Sequence, residues 1–429
     1  MQHATLIVHS ADQLITMPGG PQRGRDLGRL GLIKDGAVAI IDGQISAVGP
    51  TREIRARYRA ERELDASGRV ALPGFVDPHT HVVWSGDRAA EFEMRVSGAS
   101  YMEIMEAGGG ILSTVRETRD ATTDELVQSS LPRLTRMLAH GTTTAEAKTG
   151  YGLETGTELR MLEAILEMNH RGPMELAPTF MGAHAVPAEY AGRGDEYVGL
   201  VCREMLPAVR DWWQVKAQGC PLPFVDVFCE PGAFDLEDSR RILDQAQVLG
   251  FPLKMHVDEF ESLGGTDLAI SRGAVSADHL VRTPPEEIER LGRSKTVAVS
   301  LPCTPFGLAQ PHYSPAKSIL QAGGILAVAS DLNPGTAWCE SMQFVIALAC
   351  RYLGLTPAQA IAAATINAAA AIARQERIGS LEVGKQGDLI LLDVPDYRHL
   401  GYRFGTNLVS MVIKRGKIVS TNGEGRWTS

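Results

Sequence analysis

The chain has 429 residues, 44% of them hydrophobic and 22% charged, with a net charge of −9. That profile suits a soluble globular protein large enough for an α/β barrel, and the lack of a basic run interleaved with aromatics argues against a general nucleic-acid binder. No apolar run of roughly 18 residues is present to span a membrane, and the opening MQHATLIVHSADQLITM lacks the basic and apolar blocks of a secretory signal.

Residues 1–65 read as strands. ATLIVHS and GAVAIIDGQISAVG are short apolar runs, and Asp42–Gly43 suits a tight hairpin. The stretch 66–375 alternates strand-like runs with helical periods. Eight strand candidates follow in order: ALPGFVDPH, GTTTAEAK, MELAPTFMG, FVDVFCE, PLKMHV, AVSAD, TVAVSL and ILAVAS. Between them, DELVQSSLPRLTRMLAH, ETGTELRMLEAILEMNHRG and DSRRILDQAQVLG place apolar residues at i, i+3, i+4 and i+7. Eight such repeats predict a (β/α)8 barrel of the TIM type. A doubly wound open sheet is the alternative; its nucleotide-binding form is excluded, because no GxGxxG or GxxxxGK[ST] follows the first strand. The run Gly108–Gly110 falls in a long insertion after strand 1 and reads as a flexible active-site loop.

The C-terminal part returns to strands, GDLILLDV and VSMVIKRGKIVS, with KRGK as a hairpin turn. Neither end has strands enough for its own core. Residues 1–65 and 376–429 are therefore expected to form one composite β-domain, a small β-sandwich, with the 66–375 barrel inserted between them.

In a barrel the chemistry sits where the strands end. Strand 1 ends in His79 and His81, followed by Arg88; side chains at i and i+2 share a face, so the two imidazoles converge. Strand 2 leads to Lys148 and Tyr151, strand 3 to His184, and strand 4 to Glu230. Strand 5 leads to His256, Asp258 and Glu259, and strand 6 to Asp278 and His279. Strand 7 ends in LPCTP, which is chemically quiet. Strand 8 leads to Asp331, Asn333 and Thr336. Five of the eleven histidines fall at these ends. Of the others, His140 and His170 read as partly positive helix C-terminal residues, and His3, His9, His312 and His399 as surface residues.

The six cysteines form no CxxC pair and read as reduced thiols of a cytoplasmic protein. A metal must then be held by imidazole and carboxylate. His79, His81, His256 and Asp331 make a four-ligand set suited to zinc, with Fe(II) as the second choice. A metal would bring the pKa of a bound water from about 16 toward about 7. Strand 4 offers no lysine to bridge two ions, so one divalent metal is expected, with Lys148 left as a structural or salt-bridge residue. Glu259 is the expected proton shuttle, His279 the donor to the developing oxyanion, and Asp331 orients the water as well as binding metal. Glu230 reads equally as a site residue and as a carboxylate capping a loop.

In this order, PGFVDPHTH, MHVDE, SADH and SDLNPGT resemble the amidohydrolase superfamily, metal hydrolases built on a (β/α)8 barrel with a small β-domain from both chain ends. GDRAAEFEMRVSGASYMEIMEAGGGILSTVRETR, KTGYGLETGTELRMLEAI, PTFMGAHAVPAEYAG and DLNPGTAWCESMQF are similar to the members that open 4-imidazolone-5-propanoate with water. Their product is N-formimidoyl-L-glutamate, in histidine degradation. The match spans roughly 70–390. The resemblance implies metal ligation by His79, His81, His256 and Asp331, and substrate contacts at Arg88, Tyr151 and His184. It also implies acid–base work at Glu259 and product contacts at Asn333, Gly335 and Thr336. A guanidinium fork at Arg88 would suit the propionate tail. The resemblance further implies a small-molecule substrate and a homodimer, the commonest symmetric assembly. Two rivals stay open: a nucleobase or amidine deaminase of the same superfamily, which fits the HxxE spacing of His256 and Glu259, and a non-catalytic barrel.

Overall fold

The computed structural model describes residues 1–99, 103, 108–422 and 424–425. The chain opens with β1 (Gln2–Leu14), β2 (Ile33–Ile41), β3 (Gln44–Pro50), β4 (Tyr58–Asp65) and β5 (Val70–Pro73). β1 is the hub, antiparallel to β2 and parallel to β4 and β5. Its side chains alternate between two buried clusters. Leu6, Val8 and Leu14 pack with Val38, Ile40 and Leu389, while Ile7 packs on the other face with Ala39, Ile54 and Tyr58. The β2–β3 hairpin turns on Asp42 (φ 49°) and Gly43 (φ 80°), the two left-handed residues such a loop needs.

The barrel strands follow as β6 (Phe75–Asp77), β7 (Thr142–Lys148), β8 (Glu175–Ala183), β9 (Phe224–Cys229), β10 (Lys254–Val257), β11 (Ser276–His279), β12 (Val297–Ser300) and β13 (Leu326–Val328). They are parallel and pair in chain order. The ring closes beyond the ends of β6 and β13, where Thr80 bridges Leu332 in parallel register. There the His81 N–H donates to the Leu332 carbonyl at 2.9 Å and the Asp331 N–H to that of His79 at 3.1 Å. Closure rules out the open sheet. The helices expected between strands are present, among them Thr123–Ala139, Thr155–Arg171 and Leu236–Val248. Each turns an apolar stripe onto one continuous core around the barrel. Among the described residues, no helix is long and apolar enough to cross a membrane.

ALPGFVDPH is not one strand but two. Val70–Pro73 belongs to the terminal sheet, and the barrel begins at Phe75. Gly74 is the crossing point; a Cβ there would lie 2.4 Å from Thr143 Oγ1. The chain then returns as β14 (Leu389–Leu392), β15 (Val409–Lys414), β16 (Lys417–Thr421) and β17 (Glu424–Gly425), completing a nine-stranded mixed sheet. KRGK is the β15–β16 turn, with Arg415 (φ 49°) and Gly416 (φ 71°) left-handed. The half-buried Glu175 at the start of β8 joins barrel to sheet, 2.6 Å from Arg374 Nη1 and 2.9 Å from Arg415 Nη2.

Of the insertion after strand 1, residues 100–102 and 104–107 lie outside the described residues. Gly110 (φ 79°) precedes the helix Ile111–Asp120 and donates its N–H to Glu91 Oε2 at 2.8 Å.

Candidate metal centre

His79 and His81 follow β6 on either side of Thr80, whose hydroxyl is tied to the Glu146 carbonyl at 2.5 Å. Both rings therefore face the barrel mouth, as the i, i+2 spacing requires. His256 lies on β10 and Asp331 follows β13. Asp331 Oδ1 stands 3.5 Å from His79 Nε2 and 3.8 Å from His81 Nε2, and His81 Nε2 is 3.3 Å from His256 Nε2. Donors bonded at about 2.1 Å to a tetrahedral ion stand about 3.4 Å apart. His79 Nε2 is buried and has no hydrogen-bond partner, which costs free energy unless a cation takes its lone pair. Burial, then the Lys148 charge for His79 and His184 for His81, holds both imidazoles well below their usual pKa. They are neutral, as ligation requires. Burial raises the Asp331 carboxyl to about 6, with the Thr304 hydroxyl opposing. On these observations the four side chains fit a divalent cation.

The backbone is left-handed at Asp258 (φ 55°), His279 (φ 80°), Leu280 (φ 62°) and Asp331 (φ 55°). Such residues cost of order 1–3 kcal/mol each and persist where surrounding contacts over-determine them. Here they lie at strand ends around the mouth. His279 Nδ1 is 3.5 Å from Glu259 Oε2, and its ring is 5.2 Å from that of His256. Burial first, then the charges of Asp331 and Glu230, pushes the Glu259 carboxyl well up. Glu230 accepts the backbone N–H groups of Glu259, Phe260 and Glu261, at 2.5, 3.3 and 3.1 Å. That is the loop-capping role. His184 stacks on His81 at 4.7 Å, with its Nδ1 on the Gly150 carbonyl at 3.0 Å. The Tyr151 ring is 5.3 Å from that of His184. Burial raises the Tyr151 phenol, which stays an O–H donor at neutral pH.

Arg88, Gly335 and Thr336 line a cavity of about 510 Å³ together with Phe92, Arg95 and Trp338. The Nε/Nη2 edge of Arg88 is already paired with Glu91, at 2.7 and 2.5 Å, which leaves Nη1 free of that carboxylate. Gly335 has no room for a side chain, since a Cβ there would lie 2.2 Å from Arg88 Nη1. Asn333 spends its amide on its own loop: Oδ1 accepts from the N–H groups of Gly335 and Thr336, both at 2.8 Å, and Nδ2 donates to the Asp331 carbonyl.

The chain matches the amidohydrolase family model over residues 70–419, and a model of the bacterial imidazolonepropionase-like composite domain over residues 36–60. It belongs to the amidohydrolase family. Among amidohydrolase relatives, one named imidazolonepropionase from Herpetosiphon aurantiacus is 56% identical, covering 98% of this chain and 99% of its own. Another of that name, from Chloroflexus aggregans, is 52% identical over 98% of this chain and 100% of its own. Among solved structures, a zinc-bound adenosine deaminase from Xanthomonas campestris superposes with TM-score 0.73 at 19% identity. It covers 100% of this chain and 95% of that one, and at this identity the likeness is one of fold.

Several residues of this amidohydrolase site escaped sequence reasoning. Strand 7 is not quiet: Thr304 Oγ1 donates to Asp331 Oδ2 at 2.5 Å and turns Oδ1 to the imidazoles. Arg133 lies 3.4 Å above the Trp84 ring and donates to the carbonyls of Val82 and Trp84, fixing the segment after the HxH pair. No spacing rule announces either residue, because both act from helices distant in sequence. Lys148 is a salt-bridge residue, 2.8 Å from Glu146 and 2.6 Å from Asp226. Two histidine readings fail. His9 is buried in β1 beside Ser10, and burial lowers the pKa of the helix-capping His140, so its ring is not partly positive.

Proposed function

We propose that this amidohydrolase opens the ring of 4-imidazolone-5-propanoate by hydrolysis, yielding N-formimidoyl-L-glutamate in histidine catabolism. The near-full-length 56% identity to a relative named imidazolonepropionase carries the reading. The convergence of three imidazoles and Asp331 around an orphaned His79 Nε2 supports the chemistry.

A divalent ion at these four atoms supplies Lewis acidity and a nucleophilic water near neutral pH, and zinc suits the donors best, with Fe(II) second. Thr304 holds Asp331 so that Oδ1 orients the attacking water toward the ring carbonyl. The neutral His279 ring directs Nδ1 at Glu259 and offers Nε2 to the developing oxyanion. Glu259, whose carboxyl is pushed up by burial, takes the proton that the attacking water gives up and passes it to the departing ring nitrogen. Arg88 Nη1 takes the propionate carboxylate, while Tyr151 and His184 flank the ring. Asn333 sets the turn that presents the Gly335 and Thr336 backbone beside that tail. A cytoplasmic location and a homodimer belong to the same reading; six unpaired cysteines agree with the first, and light scattering measures the second.

A nucleobase deaminase is not favoured, because the deaminase likeness extends to fold alone. Mass spectrometry after incubation with 4-imidazolone-5-propanoate separates the two. Addition of one water without ammonia supports ring opening. An unchanged substrate, together with ammonia released from a nucleobase, overturns it.

A further inference from the structure

Directly beneath the imidazoles the barrel interior buries five charged side chains: Glu146, Lys148, Asp226, Lys254 and Asp278. They form one network. Lys148 Nζ lies 2.8 Å from Glu146 Oε1 and 2.6 Å from Asp226 Oδ2. Lys254 Nζ lies 2.7 Å from Glu146 Oε2 and 3.6 Å from Asp278 Oδ2, and donates to the Pro78 carbonyl at 2.7 Å. Thr179 Oγ1 also donates to Glu146 Oε1, at 2.5 Å. Two of these carboxylates reach the proposed ligands. Asp278 Oδ2 is 2.6 Å from His79 Nδ1, and Asp226 Oδ1 is 3.0 Å from His256 Nδ1. Asp226 thus divides its oxygens, Oδ2 on a lysine and Oδ1 on a ligand ring and on the His256 N–H at 3.2 Å.

We infer that Lys148 and Lys254 are positioning residues of the metal centre. Through Asp226 and Asp278 they hold Nδ1 of His256 and His79 as the protonated nitrogens and aim both Nε2 atoms at one divalent cation. A buried carboxylate without a cationic or N–H partner turns to whatever donor remains. The ammonium groups are what keep Asp226 and Asp278 facing the rings instead of each other. Outer partners that orient ligating histidines typically change metal affinity about 10- to 100-fold.

The inference rests on the metal-centre reading, and its test separates the two. Metal-free protein is titrated with Zn²⁺ against a chromophoric chelator. One equivalent bound by the wild-type chain upholds the centre itself, and none bound overturns it. Lys148→Met is expected to weaken Zn²⁺ binding about 10- to 100-fold, and Asp226→Asn by a similar factor. Because the lysine acts through Asp226, the double variant Lys148→Met/Asp226→Asn should bind no more weakly than Asp226→Asn alone. Unchanged or tighter binding by Lys148→Met, as relief of charge repulsion alone would give, overturns the inference, and so do losses that multiply in the double variant. If Lys148→Met does not fold, histidine-selective ¹⁵N NMR of the zinc-loaded wild-type chain decides. Protonated Nδ1 on both His79 and His256 supports the inference, and metal-bound Nδ1 on either overturns it.

Discussion

Glu259 is the residue on which the proton account turns. Its carboxyl is buried, and burial first, then the charges of Asp331 and Glu230, pushes it well above the usual carboxylate range, which suits a group that both takes and gives a proton. Glu259→Gln should lower kcat about 10²- to 10⁴-fold while metal content, read by elemental analysis, stays at the wild-type value. Near-normal turnover by that variant would remove Glu259 from the mechanism. Gly335 tests the tail-binding side. A methyl group there meets Arg88 Nη1, so Gly335→Ala should raise KM about tenfold with a smaller change in kcat, the pattern of lost uniform binding. A fall in kcat at unchanged KM would place Gly335 with the reacting atoms instead. Sequence reading brought the four side chains together because HxH marks one strand end and His256 and Asp331 stand at two others, each a local signal. It missed Glu91, Thr304 and Arg133, whose parts come from contacts across the mouth: Glu91 occupies one edge of Arg88, and Thr304 turns Asp331.

Among the elements, the eight barrel strands were legible because each is a short apolar run bounded by turn residues and separated by a helical period. The hairpins at Asp42–Gly43 and Arg415–Gly416 were legible from their turn chemistry. The break at Gly74 was not, since Val70–Asp77 is buried almost without interruption and only pairing partners tell its halves apart. The contact between barrel and terminal sheet was equally hidden. Glu175 meets Arg374, Arg377, Lys414 and Arg415, all at least 199 residues away. Burial pushes the Glu175 carboxyl up, but Arg374 and then the other three cations outweigh it and bring it down to about 2. A depressed carboxyl contributes stability that is fully present above its unfolded value of 4.5 and is lost as pH falls toward about 2. The contribution is roughly 3 kcal/mol. Glu175→Gln should therefore melt several degrees below wild type at pH 7, with the gap narrowing as the pH is taken from 4.5 toward 2. A gap of constant size across that window would deny the ion cluster its role.

For the whole molecule, the barrel gathers at one rim side chains that the chain spreads from residue 79 to residue 336, and the terminal strands meet in a sheet braced against the barrel's opposite end. Relatives at 56% and 52% identity extend over almost the full length, so the sheet and the barrel belong together in this family. The proposed hydrolysis needs one cation among His79, His81, His256 and Asp331, whose side chains converge at the barrel mouth. Turnover of 4-imidazolone-5-propanoate by chelator-stripped protein, followed as Zn²⁺ is added back, measures this most directly. Activity is predicted to start near zero, rise in proportion to added metal and level off at one equivalent per chain. Full turnover without metal, or a plateau reached only at two equivalents, would contradict it.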